Sequence, residues 1–216
     1  MKRAGSILGA VGLAAVMAFA LSSWVKGQVF GFVWQTFGND TFSCGGDWTV
    51  NIRGKTLESD GTLVSAGGNC KITLTDCHLK GAETVSTGGN AELIIEGGTI
   101  EGTSAAVSSA GSRLEIRNAT LEGDDVGLRF YGNRSESATV RGSTIEGRTA
   151  LEAVSGAEIA FVDSTLRGSP TAVRASGTSV DLGNSEVTGA VETTSGAEVV
   201  PQPSPKQAEA PGAVGD

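Results

Sequence analysis

A chain of 216 residues, 32 of them glycine and 39% hydrophobic, has room for one domain plus its ends. Its net charge of −8, with no basic stripe, argues against nucleic acid as a partner and against attraction to anionic lipid headgroups. Aromatic residues make up only 5%, so a place where they cluster is informative.

Residues 1–27 come first. Lys2 and Arg3 precede an uncharged run from Ala4 to Val25, weighted by Ile7, Leu8, Val11, Leu13, Val16, Met17, Phe19 and Leu21. The run predicts a hydrophobic helix, and two readings fit it. Ala18-Phe19-Ala20 matches the small-x-small rule for signal-peptide cleavage before Leu21. Alternatively, Ile7 to Val25 is just long enough to span a bilayer, with Trp24 and Lys26 at the interface. Both readings export the rest of the chain, because Lys2 and Arg3 stay inside. The protein is then anchored to the membrane facing outside the cytoplasm, or periplasmic or extracellular if the signal is cleaved.

Residues 28–48 hold Phe30, Phe32, Trp34, Phe37, Phe42 and Trp48, the densest aromatic stretch of the chain. A carbohydrate or membrane-contact patch is one reading. An end cap is the favoured one, because the first coil of a repeat stack exposes its core and needs a cover.

Residues 49–200 are a repeat. Gly81, Gly102, Gly123, Gly147, Gly168 and Gly189 close copies of one phrase, such as Arg117-Asn118-Ala119-Thr120-Leu121-Glu122-Gly123, at spacings of 21, 21, 24, 21 and 21 residues. A fixed period of that size is the signature of a solenoid. Three apolar columns run through it. The first is Val50, Ile72, Leu93, Leu114, Ala138, Ile159 and Val180; the second lies two residues later, from Ile52 to Leu182; the third lies five further on, from Leu57 to Val187. A two-residue separation is the period of a half-buried strand. A fourth, looser column from Val64 to Val191 is followed each time by glycine, which suits a recurring turn. Between the second and third columns stands a corner of Gly54, Asp76, Gly97, Asn118, Gly142, Asp163 and Asn184, residue types that tolerate left-handed geometry. Each repeat therefore predicts three short strands. Coils of this kind bury their apolar faces only by stacking in parallel, and seven would make a rod on the order of 34 Å long. Residues 201–216, rich in Pro and Ala from Pro201 onward, read as a disordered tail.

Phrases such as Leu114-Glu115-Ile116-Arg117-Asn118-Ala119-Thr120-Leu121-Glu122-Gly123 resemble the repeats of right-handed parallel β-helix proteins, the pectate-lyase-like superfold. The resemblance covers roughly residues 48–200 and implies an all-β, right-handed parallel β-helix of about seven coils of 21–24 residues. It resembles most the short, non-catalytic, exported bacterial type. The superfold hosts lyases, hydrolases, adhesins and non-enzymatic surface proteins, so the resemblance implies architecture more than activity.

Candidate chemistry is sparse. Cys44, Cys70, Cys77 and His78 have the inventory of a zinc site, but Cys77 and His78 are strand neighbours that point to opposite faces. In an exported protein a disulfide is favoured, Cys44–Cys70 first and Cys44–Cys77 second. No metal and no cofactor is expected. A threonine column, Thr56, Thr99, Thr120, Thr144 and Thr165, lies beside a charged one of Glu58, Lys80, Glu101, Glu122, Glu146 and Arg167. The three stacked glutamates repel, and Arg117 and Arg141 on the next strand are candidates to offset them. Asp124 and Asp125 form the single Asp-Asp pair, but adjacent residues diverge and no catalytic residue is assigned.

The interval between Gly123 and Gly147 has three extra residues, within Arg129 to Ser137. Loops on a rigid scaffold commonly carry function. Arg129 and Arg134 suit a ligand carboxylate, Tyr131 a sugar ring, and Asn133 a hydrogen bond. In the simpler reading Phe130 turns inward at the slot of Ala66 and Ala175, and the loop widens to fit it. The expected function is a non-enzymatic envelope or surface rod, with a carbohydrate or an envelope protein as partner, or further copies joined end to end. The alternative is a carbohydrate-active enzyme.

Overall fold

The computed structural model describes residues 41–132 and 136–200. The apolar run 1–27, most of the aromatic segment 28–48, Asn133, Arg134 and the tail 201–216 lie outside the described residues.

Fifteen strands form one continuous sheet that winds into a parallel solenoid of about seven turns. They are β1 (Phe42–Cys44), β2 (Thr49–Arg53), β3 (Thr56–Glu58), β4 (Val64–Ala66), β5 (Lys71–Gly88), β6 (Glu92–Ala110), β7 (Arg113–Arg117), β8 (Thr120–Tyr131), β9 (Ser137–Arg141), β10 (Thr144–Val154), β11 (Glu158–Val162), β12 (Thr165–Ser176), β13 (Ser179–Asp181), β14 (Glu186–Thr194) and β15 (Glu198–Val200). Every pairing is parallel, coil on coil. The predicted columns are the observed registers: Leu93 stands on Ile72 and under Leu114, Ile116 lies between Ile95 and Val140, and Leu121 between Ile100 and Ile145. These side chains are fully buried or nearly so and form one core along the axis.

Only the first coil has the three separate strands predicted, β2, β3 and β4; in the later coils strands merge. β5 and β6 run 18 and 19 residues without a break, and from β7 onward a five-residue strand alternates with one of 11 or 12 through β12. The reason lies in the glycine that closes each phrase. Gly102, Gly123, Gly147 and Gly168 pair with one another in register while the chain bends there. The bend folds the backbone back so tightly that a methyl group on Gly123 would lie 1.9 Å from the Val126 carbonyl oxygen. Space for the backbone, rather than a positive φ, is why glycine recurs at Gly123.

The other corner does use left-handed geometry. Asn118 and Asp163 have φ of 52° and 50°. The predicted column fails only at its last member, where Gly183 takes the positive φ in place of Asn184. Glycine adopts that conformation at lower cost, and the Asn184 side chain is used instead to accept a hydrogen bond from the Asp163 N–H at 3.0 Å. Among the turn glycines after the fourth column, Gly132 is the exception without a positive φ, and it belongs to the coil with the extra residues.

Beside this corner, the small residues Ser143, Ser164 and Ser185 stack as a relay. The Ala119 N–H donates to Ser143 Oγ, the Ser143 N–H to Ser164 Oγ, and the Ser164 N–H to Ser185 Oγ, at 3.2, 3.3 and 3.1 Å. Each buried hydroxyl thus satisfies a backbone donor that the bend takes out of the ladder. Ser164→Ala is expected to destabilise the protein by about 1–3 kcal/mol, because the Ser143 N–H is left buried without an acceptor. An unchanged urea midpoint for this variant would show that the relay contributes nothing.

Candidate functional site

Along the face of the fourth column, the outward residues read Ser43, Ser65, Ser86 and Ser108, then Arg129, Glu152, Arg174 and Glu192. The face changes from small hydroxyls to alternating charge at the coil carrying the three extra residues. Strand alternation sets the orientations there: Phe130 points in and is fully buried, while Arg129 and Tyr131 point out. Phe130 fits because Ser109 and Ala153 stand on either side of it, in the column of Ala66 and Ala175. The inward reading of Phe130 therefore holds.

Arg129 Nε donates to Glu152 Oε2 at 2.8 Å, and both side chains are only about one-fifth exposed. Burial works against the Arg129 charge, yet the hydrogen bond to Glu152 and the attraction of its carboxylate outweigh that cost. The guanidinium is held above its ordinary pKa. A ligand carboxylate at Arg129 must therefore share it with Glu152. Tyr131, 38% exposed, is open to solvent on the same strand face.

One rung further, Arg174 Nε donates to Glu192 Oε2 at 3.1 Å and Thr171 Oγ1 to Glu192 Oε1 at 3.0 Å. The Arg174 bond, and then the Thr171 bond, hold the Glu192 carboxyl below its ordinary pKa. A depressed carboxylate contributes stability above the ordinary carboxylate range and loses it as pH falls through the folded-state value. Amide protection in β14, corrected for the intrinsic exchange rate, is expected to fall below roughly pH 4, and Glu192→Gln should remove that acid step.

Arg129, Glu152 and Arg174, together with Asp125, Arg148 and Pro170, line a shallow groove of about 290 Å³. Arg148 is 3.8 Å from Asp125 and mostly exposed, so its donors are the most available to a ligand. A second groove, about 300 Å³, is lined by Glu92, Arg113, Glu136 and Ser137, immediately after the extra residues. Sequence reasoning found Arg129 and Tyr131 but missed Arg148, Glu152 and Arg174. For Glu152 and Arg174 the signal was present as one column alternating Arg, Glu, Arg, Glu, readable only once the register across the irregular coil is known; Arg148 lies outside that column, at the register shift between Gly147 and Thr149.

The remaining candidates fall as follows. Cys44 and Cys70 form a disulfide, and Cys77 is a buried free thiol whose Sγ faces the Ile52 and Thr75 carbonyls. His78 is exposed in the threonine column. Among the described residues no group of three His, Cys, Asp or Glu is placed to hold a metal ion. The glutamate stack is offset differently from expectation. Lys80 reaches Glu101 at 3.8 Å and Arg167 reaches Glu146 at 2.9 Å, both from within the column. Arg117 instead binds Glu96 and Glu115 on its own sheet face, because its side chain stands in their outward register. Glu122 has no ion pair among the described residues.

No protein-family model, no curated protein and no solved structure matches the chain.

Proposed function

We propose that the chain is a non-enzymatic, exported protein of the cell envelope or surface, a right-handed rod that binds an acidic carbohydrate or an envelope protein. The observation that carries this reading is the placement of irregularity. Uniform coils supply a rigid scaffold, and the single coil with extra residues opens beside a groove with three arginines in an acidic protein. Two of these arginines are fixed in place by Glu152 and Glu192, which lowers the entropy cost of engaging a ligand. The groove volume lies at the lower end of the range for ligand pockets, roughly 300–1,000 Å³. The Cys44–Cys70 disulfide favours an oxidising compartment and so supports export.

A second reading, a carbohydrate-active enzyme, is favoured by one observation: Asp125 and Glu152 line the same groove, the two-carboxylate inventory of glycoside hydrolysis. Incubating the full chain with acidic polysaccharides separates the two. Binding without new reducing ends or unsaturated products is the expected result. Products that vanish in Glu152→Gln would establish the enzyme. Replacing Tyr131 and Arg134 together with Ala should weaken binding while leaving the melting temperature unchanged; unaltered affinity removes this coil as the binding element.

A further inference from the structure

The last described turn of the solenoid is open. β14 and β15 lie at the two ends of the strand order and, among the described residues, each has a neighbour on one side only. Every residue from Thr188 to Gly196 is exposed, and Val191, which continues a core column, is 46% exposed. Val187 and Val199 continue two further core columns and are half-buried. Unpaired backbone donors beside apolar columns form a template for more β-structure.

The chain's own continuation does not meet the requirements of another coil. Val180 and Val199 are register partners, and carrying that spacing on sets Pro205 against Glu186, Lys206 against Val187 and Ala208 against Gly189. The Glu186 N–H donates to the Ser164 carbonyl at 2.8 Å, a bond that proline lacks the donor for. Lys206 would interrupt the apolar column. A methyl group at Gly189 would meet the Gly168 carbonyl oxygen at 2.3 Å, so alanine does not suit that place either.

We propose that this end docks the N-terminal end of a second copy of the chain, head to tail. The first described coil offers the matching columns: Phe42 stands in the column of Val191, Val50 in that of Val199, and Leu57 in that of Val187. Charge selects the orientation. The last coil carries Glu186, Glu192 and Glu198, so two C-terminal ends would gather six carboxylates. Residues 28–39, which precede the first described coil in a second copy, carry no charged side chain to oppose the contact. A heterologous contact of this kind does not close on itself and extends into filaments. The inference concerns the solenoid end and stands independently of the ligand groove.

Sedimentation velocity of the full chain in mild detergent, over a wide concentration range, tests it. The expected result is a sedimentation coefficient that rises without a plateau. Val187→Lys combined with Val191→Lys should raise the concentration needed for assembly by roughly tenfold or more, with unchanged circular dichroism. Val191→Lys alone, at an already exposed position, keeps the test available if the double variant is disturbed. Truncation after Val200 should leave assembly intact. A monomer at every concentration, a plateau at the dimer, assembly indifferent to both lysine variants, or assembly provoked by the truncation would each overturn the proposal.

Discussion

Ile116→Asp is expected to unfold the middle of the solenoid. Ile116 has no exposed surface and stands in register between Ile95 and Val140, so a carboxyl there finds no water. Ionised, it is a buried unpaired charge. Protonated, it still forfeits the apolar contacts of isoleucine and leaves a polar group without partners. The loss is about 4 kcal/mol or more, a large share of the roughly 5–15 kcal/mol by which a domain is usually stable. Because each coil leans only on its neighbours, the defect should also divide the stack, so that unfolding becomes broader or two-step. A urea titration followed by circular dichroism measures both effects. A variant that unfolds at the wild-type midpoint would refute the assignment of this column to the core.

Gly123→Ala should cost nearly as much through the opposite mechanism, overpacking of the backbone. The added methyl group would lie 1.9 Å from the Val126 carbonyl oxygen and 2.2 Å from its carbon, neither of which can move without breaking the coil's bend. Relief requires opening the corner and disturbing the Gly123 pairings with Gly102 and Gly147. About 3 kcal/mol of destabilisation is expected, with Gly168→Ala behaving alike. Gly67→Ala is the control: nothing lies within 4 Å of its added methyl group, and the effect should stay within about 0.5 kcal/mol. Equal melting curves for Gly123→Ala and Gly67→Ala would show that the recurring phrase glycine has some reason other than space.

How far the sequence alone reached depends on what kind of information each feature needs. The period, the apolar columns and the left-handed corner were legible, because stacking makes every coil repeat the same local demand. A core position filled by Leu93, Leu114 and Ile159 announces itself by recurrence. The inward Phe130 was legible for the same reason, since its column is otherwise small. The Cys44–Cys70 pairing was favoured from the sequence and is the one observed.

Other features belong to the tertiary structure. That strands run through the phrase glycines, and that a methyl group at Gly123 has no room, depends on the path of the backbone three residues later. Whether Glu101 and Glu146 are offset by Arg117 or by Lys80 and Arg167 depends on which long side chains reach across neighbouring coils, and residue spacing does not encode that reach. The pairing of Arg129 with Glu152 depends on how the irregular coil restores register by β10. The open last coil appears only once β14 and β15 are seen to have, among the described residues, a neighbour on one side only, because a repeat unit carries no mark of being the last. Recurrence encodes the contacts every coil makes; contacts made once are decided by three-dimensional placement.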